Sequence, residues 1–488
     1  MPKATLAVTP FIVVWSIIRR LRKKSTSKIT MHSNFGINAI RLRFSRSLEV
    51  HRAILYSVAG RVWSLGAGII TTLLVAVYFS RELQGYYYTF GSVLALQVLA
   101  ELGLGTVLIS YASHEWANLS FDEKRRIAGD KEALSRLTSL GRFSRSWYLV
   151  AGVVVAIALS ISGLLFFGAS VDPAFQWRAP WIALCMVTGL NLCVVPVLAL
   201  LEGCNQVVYV YGCRLIQFIA CSVAAWISIY MGAELWVSSI TGLVGLIVAI
   251  ILTSRRYWEF VRIIFFRKPG GRHINWQTEI LPMQWRIAVS WISGMLAFSL
   301  FTPVLFHYHG AVVAGQMGMT WAFVNALTAV ASALTMPKAP IFGILIAQKK
   351  YAELDGMFFR LTMSVIAITA TIALAIWSLI FTLNQLHHSF STRVLSPTAT
   401  GFLLLASLLV AATLPMATYL RAHKKEPLMM VSILTGLVTA VVVVVLGKFY
   451  SADGVAVGYL MVTAVVSPLV AFIWQRRRAE WHSHPLSA

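Results

Sequence analysis

The chain has 488 residues, of which 58% are apolar and 12% charged, and its net charge is +23. A water-soluble domain carries roughly a quarter charged residues, so this composition excludes a soluble globular fold and makes lipid the surrounding solvent. The basic residues lie scattered between apolar runs, with no groove-sized block apart from the N-terminal arm, which argues against nucleic acid as a partner.

Residues 1–52 form a basic N-terminal arm. Leu6–Ile18 is apolar but too short to span a bilayer, and Arg19, Arg20, Arg22, Lys23 and Lys24 follow it. A signal peptide places its charge ahead of the apolar stretch. The arm therefore reads either as an interfacial anchor or as sequence ahead of a true start at Met31. Beyond it, runs long enough to cross a hydrocarbon core about 30 Å thick lie at 53–79, 85–111, 147–168, 180–202, 208–230 and 235–253. Six more lie at 287–308, 312–337, 361–383, 398–420, 427–447 and 454–474. The runs are continuous rather than alternating, so they predict helices and not a barrel. The fold class is thus all-α integral membrane, with about twelve spans.

Lys and Arg set the orientation. If the N-terminus is cytoplasmic, 35 of the 41 basic residues fall in cytoplasmic segments, and only Arg81, Arg178, Arg393 and Lys448 fall outside. This predicts a multi-pass protein of the bacterial cytoplasmic (inner) membrane with both termini cytoplasmic. The cytoplasmic loops are long and amphipathic (Phe121–Trp147, Tyr257–Trp285), while the outer loops are short. The five cysteines, Cys185, Cys193, Cys204, Cys213 and Cys221, share one apolar stretch without metal-ligand spacing and read as packing residues.

The spans divide into two halves of six: an N-terminal lobe at 53–253, an amphipathic linker at 254–286, a C-terminal lobe at 287–474 and a basic tail at 475–488. In each half the fourth and fifth spans are joined by a very short turn, Gly203–Val207 or Ala422–Glu426. Each fourth span carries a late proline, Pro196 or Pro415, followed six residues on by Glu202 or Arg421. A proline within a span frees a carbonyl and kinks the helix, so Pro196 and Pro415 are candidate hinges. Matched interruptions in two halves mark transporters. Because six is even, the pseudo-two-fold axis of this parallel repeat runs along the membrane normal.

Ionisable groups within spans are costly and face a cavity or a partner. Arg61 lies about 12 Å into the first span, on a stripe with Ser57, Gly60, Ser64, Gly68 and Thr71. The seventh span repeats the device with Arg286, Ser290, Ser293, Gly294 and Ala297. The eighth carries Asn325, Thr328, Ser332 and Thr335 on one face, and the second carries Gln97, Glu101 and Gly105. Small residues also allow tight helix contacts, but an arginine cannot shed its charge. Arg61, Arg286 and Arg214 are therefore candidate ligands for an anion, for which a diphosphate suits the guanidinium fork. Glu101, Gln97, Asn325 and Trp321 are candidates for the rest of a binding cleft, and Trp63 and Trp291 share with Trp321 the option of stacking or packing. Glu101 matches Arg61 in depth, so the two either form an ion pair or leave Arg61 to a ligand. His307 and His309 sit near the outer end of the seventh span and either carry protons or are solvated. There is no Walker loop, HExxH, GxSxG or paired-carboxylate motif, so no enzymatic activity, cofactor or metal is expected.

The run GYYYTFGSVLALQVLAELGLGTVLISYASHEWA (Gly85–Ala117) resembles the second span and following loop of bacterial polysaccharide flippases. These belong to the multidrug/oligosaccharidyl-lipid/polysaccharide exporter (MOP) superfamily. ALLEGCNQV (Ala199–Val207), GMTW (Gly318–Trp321), KAPIFGILIAQKKYAELD (Lys338–Asp355) and RAHKKEPL (Arg421–Leu428) are similar to stretches at the same places in that family. The resemblance covers roughly residues 50–475; the N-terminal arm departs from it. It implies a V of two six-helix lobes that moves undecaprenyl-diphosphate-linked oligosaccharide across the membrane by alternating access, in surface polysaccharide biosynthesis. The partners it implies are that lipid-linked saccharide, membrane lipids and other polysaccharide assembly proteins. The alternatives are an organic-cation antiporter, which favours deep acidic groups, and a membrane polysaccharide polymerase, which needs a large outer loop.

Overall fold

A computed structural model describes residues 36–122, 126–168, 176–268, 270–271, 273–281, 284–285, 288, 299–423 and 426–483. Two compact units divide at Arg52; the larger, Ala53–Ala488, holds the spans. Leu6–Ile18 and Met31 lie outside the described residues. So do Arg286, Ser290, Trp291, Ser293, Gly294 and Ala297 of the seventh run.

The helices follow the apolar runs and extend beyond several of them. In chain order they are α1 (Gly36–Tyr78), α2 (Arg81–Leu94), α3 (Leu104–Trp116), α4 (Lys131–Gly168), α5 (Arg178–Leu192), α6 (Val195–Gly203), α7 (Val207–Tyr230) and α8 (Trp236–Phe266). After the linker come α9 (Phe301–Thr335), α10 (Ala339–Ala347), α11 (Tyr351–Gln385), α12 (Pro397–Ala422) and α13 (Met429–Ser483). Helix is the form in which a span satisfies its own backbone groups where lipid offers none. Counting the interrupted second span as one, ten stretches among the described residues are apolar and long enough to cross a bilayer. The last divides at Tyr450–Ser451, where the backbone leaves helical angles. Of the twelve runs read from the sequence, the one at 287–308 lies mostly outside the described residues.

Breaks have local causes. Gly310, with φ 86°, separates the end of the seventh run from the eighth inside α9, a backbone setting that glycine adopts without steric cost. The second span is not the continuous helix its apolar run predicts. A 3-10 turn (Ala95–Gln97) and one helical turn (Val98–Glu101) follow α2. Leu102 (φ 47°) and Gly103 (φ 68°) are then left-handed, bending the span by 41°. Ser80 caps α2 by accepting the Leu83 N–H at 3.1 Å, and Ser396 caps α12 by accepting that of Ala399 at 3.2 Å.

The amphipathic loops are also more ordered than loops. Leu119–Phe121 and Ile127–Gly129 form a short antiparallel hairpin. The α4 helix starts at Lys131, where the Asp130 carboxylate accepts the Ala133 N–H at 3.0 Å, and Ala133, Leu137 and Leu140 bury one face. The basic tail continues α13 as helix to Ser483. There Arg478 pairs with Asp355, and Tyr419 donates to the same carboxylate at 3.1 Å. The core of the first lobe is aromatic: Phe90, Phe167 and Trp181 have centroids 4.8–5.3 Å apart. In the second lobe Phe358 stacks on Trp474 at 4.5 Å.

Candidate transport site

The lobes meet along α2 and the middle of α9, at the end away from the Arg- and Lys-rich loops. Glycine permits the approach. A Cβ on Gly85 would lie 1.9 Å from the Ala311 carbonyl oxygen, one on Gly315 2.8 Å from the Gly85 nitrogen, and one on Gly318 2.3 Å from Tyr88. Beside Gly85, the Gln84 side chain is buried (1% exposed). Its amide donates to the carbonyls of Gly315 and Arg393, both at 2.9 Å, and the Arg393 guanidinium donates back to it at 3.5 Å. Thr302 donates to Ser92, and Tyr86 meets Phe306 edge-on at 5.0 Å. Gln316 donates to the Thr392 carbonyl at 3.1 Å, extending the network into the loop before α12. This far end is sealed.

The seal carries a built-in opposition. Burial and the neighbouring Arg81 push the Arg393 guanidinium below its ordinary pKa, with Glu82 acting in the other direction. Arg81 of the first lobe and Arg393 of the second thus lie within electrostatic reach at the seam, a like-charge interaction that Glu82 offsets in part.

Toward the basic end the same two spans expose polar groups. Asn325, one turn beyond Trp321, is exposed, and Gln97 and Glu101 are half-buried. Trp321 meets Phe301 edge-on at 4.7 Å and Tyr459 at 5.7 Å, so the ring is held in an aromatic cluster. Arg61 is exposed on α1, and its two terminal nitrogens each lie 3.5 Å from the Met336 sulfur of the other lobe. No carboxylate pairs with Arg61 among the described residues, and the ion pair with Glu101 suggested by their matched depth does not form. Arg214 differs. It pairs with Glu202 at 2.9 Å, Tyr211 donates to the same carboxylate at 3.3 Å, and the guanidinium lies over the Tyr211 ring at 5.5 Å. Its charge is already matched. Arg286 lies outside the described residues.

The candidate hinges differ from each other. Pro196 opens α6 immediately after the chain leaves α5 at Cys193–Val194, so the fourth span is broken there. Pro415 lies inside α12, which runs unbroken around it. The linker is strapped to the first lobe: Arg136 bridges Glu115 (2.7 Å) and Glu279 (2.9 Å), and Gly271 N–H donates to Ser135 at 2.9 Å. His309 bonds the Gly447 carbonyl at 2.7 Å, while His307 is exposed beside Phe166 and Tyr308. The seam residues Gln84, Gly85 and Gly315 and the pair Arg81–Arg393 were not among the sequence candidates.

Solved structures share this arrangement over most of the chain. The lipid II flippase MurJ, in an inward closed conformation, superposes with a TM-score of 0.57 at 14% identity, covering 86% of this chain and 87% of its own. The chain has the fold of the MOP superfamily transporters. A MATE-family multidrug resistance transporter of the MOP superfamily, outward-facing, gives 0.51 at 13% identity, covering 89% of this chain and 96% of its own. A MOP superfamily transporter from Pyrococcus furiosus, described as having a binding pocket of reverse polarity that suggests a different function, gives 0.52 at 12% identity, covering 89% and 96%. No protein-family model and no curated protein matches the sequence. All three of these proteins are described as transporters or flippases.

Proposed function

We propose that this protein is a flippase that moves an undecaprenyl-diphosphate-linked oligosaccharide from the cytoplasmic to the outer leaflet of a bacterial inner membrane, by alternating access and without enzymatic chemistry. The observation that carries this reading is Arg61. It is an exposed guanidinium at the basic mouth of the cleft, bound to no carboxylate among the described residues and resting on a methionine sulfur that a stronger acceptor displaces. Diphosphate oxygens are such an acceptor. Gln97, Asn325 and the edge of Trp321 would line the space for the saccharide, while the lipid tail stays in the bilayer. Arg214 would orient the Glu202–Tyr211 group beside Arg61 rather than hold the substrate. The charge bias of the loops supports a cytoplasmic basic mouth and cytoplasmic termini; on that reading, the sealed far end corresponds to an inward-facing state. Pro196 and Pro415 would serve as hinges as the lobes rock.

Deleting the gene tests the function: the lipid-linked intermediate should build up on the inner leaflet and the surface polymer should disappear. A second reading, export of organic cations, is favoured by one observation, the deep Glu101 without a basic partner among the described residues. A deletion strain with normal polymer and hypersensitivity to cationic dyes would establish that reading instead.

A further inference from the structure

The α8 helix turns a corner. Tyr257, with φ −128° and ψ 29°, leaves helical angles inside it, and the Tyr257 hydroxyl donates to Gln206 at 2.6 Å. Before the corner α8 is a span. After it, residues 258–266 form a second helix that packs within the first lobe. Phe260, Ile264 and Phe265 are buried. Phe260 lies 6.1 Å from Phe121 of the hairpin, and a Cβ on Gly141 of α4 would stand 2.3 Å from the Ile264 side chain. This second helix starts at Trp258, just beyond the apolar run at 235–253. It ends at Phe266, which meets Arg145 just ahead of the run at 147–168. Both of its ends thus lie at the level where spans enter the hydrocarbon, so it runs along the membrane surface.

Trp258, Arg262 and Phe266 are spaced by one helical turn and form a row on its outer face. Trp258 is 58% exposed and Phe266 63%. The Arg145 guanidinium lies over the Phe266 ring at 5.1 Å, a cation–π contact that fixes a charge beside the apolar edge. Arg255, Arg256, Arg267 and Lys268 are exposed around the row. Glu259 pairs with Arg262 at 2.9 Å, with both side chains largely in the open. Among the described residues no carboxylate pairs with Arg145 or with the four flanking cations. Such a face fits neither water, which penalises the rings, nor hydrocarbon, which penalises the arginines. It fits the layer between them, where aromatic rings sit at headgroup level and cations meet phosphate. The excess of positive charge selects anionic headgroups. We propose that the row Trp258–Arg262–Phe266, with Arg145, binds the phosphate headgroups of anionic phospholipids in the leaflet on the basic side. The rings enter the acyl boundary, and Arg145 and Arg262 reach the phosphates along their apolar stems. The lipid held there is a component of the bilayer rather than cargo, so this site is independent of what the cleft carries.

Native mass spectrometry of the full-length protein in detergent micelles, titrated with phosphatidylglycerol or phosphatidylcholine, tests this. The wild type should retain phosphatidylglycerol in preference to phosphatidylcholine. A cation facing anionic lipid contributes about fivefold in affinity, so Arg262→Gln should weaken phosphatidylglycerol by about that factor, and Arg145→Gln with Arg262→Gln by roughly thirtyfold. Arg360→Gln, an exposed control in the second lobe, should leave it unchanged. If the double variant does not fold, Arg262→Gln, an exposed position, decides alone. Equal retention of the two lipids by the wild type overturns the proposal, as does undiminished phosphatidylglycerol binding in Arg262→Gln. An equal loss in Arg360→Gln also overturns it, by showing attraction to net charge only. So does a loss in Arg61→Gln, which would place the lipid in the transport cleft, or displacement by millimolar inorganic phosphate, which would assign the site to a free anion.

Discussion

Gln84 holds the two lobes together through Arg393: its amide donates to the Arg393 carbonyl at 2.9 Å and to the Gly315 carbonyl at the same distance. Both bonds are made by one buried side chain in the sealed state, and both must break for the far end to open. Gln84→Leu leaves two carbonyls without this donor, worth about 1–3 kcal/mol. It should shift the lobes toward the open far end by roughly tenfold. Spin labels on α2 and α11, read by electron–electron resonance, should show a longer far-end distance in the variant. An unchanged distance distribution would remove Gln84 from the gate.

Gly85 acts by size alone. Any side chain there meets the Ala311 carbonyl, because a Cβ would stand 1.9 Å from its oxygen. Gly85→Val should prevent closure, leaving a protein that inserts and accumulates but transports at a few per cent of the wild-type rate or less, on the order of 2 kcal/mol in the conformational step. Crosslinking between cysteines placed at 84 and 315 should fail in this variant; efficient crosslinking would show that the seam tolerates the side chain.

The two arginines of the basic mouth should separate cleanly. Arg214 is paired with Glu202, the guanidinium being half-exposed at 42% and the carboxylate 13% exposed. Breaking a pair that is partly solvated costs about 1 kcal/mol, so Glu202→Gln should lower the midpoint of thermal unfolding in detergent by a few degrees. Arg61→Gln removes no ion pair and should leave that midpoint unchanged. Equal destabilisation by both would mean that Arg61 has a structural partner in the membrane.

Much of this was legible in the sequence, and what was not has physical reasons. The spans announce themselves because lipid demands long apolar runs, and Arg61 because a charge amid one is conspicuous. The break at Leu102–Gly103 was hidden, since leucine and glycine leave the apolar run intact. Arg214 looked as deep as its place in α7, but its long side chain reaches back along the helix to Glu202 near the basic end, as arginines do. The seam was out of reach because Gln84 and Gly315 lie 231 residues apart. Only the small residues Gly315 and Gly318, spaced for one helix face, could have hinted at a close approach.

The C-terminal helix should behave as part of the second lobe. Asp355 accepts from Arg478 at 3.0 Å and from Tyr419 at 3.1 Å, and Arg478 lies over Trp474 at 5.4 Å. Asp355→Asn should therefore leave a partly buried guanidinium unpaired and destabilise the protein by about 1–3 kcal/mol. Arg478→Met on that background should restore most of the loss. Limited proteolysis near residue 480 reads the result. A single variant cut no faster than wild type would show that the tail is not held by this pair.

Reconstituted vesicles carrying undecaprenyl-diphosphate-linked oligosaccharide in one leaflet give the most direct measurement of the central claim. The wild type should move the lipid to the opposite leaflet. Arg61→Lys should retain part of that rate, because a point charge still attracts phosphate without the bidentate fork. Arg61→Gln, equally stable and equally abundant, should fall by about a hundredfold, corresponding to roughly 2.7 kcal/mol of lost phosphate interaction. Wild-type movement of the lipid by Arg61→Gln, or wild-type vesicles that leave the lipid in place while expelling an organic cation, would contradict the account.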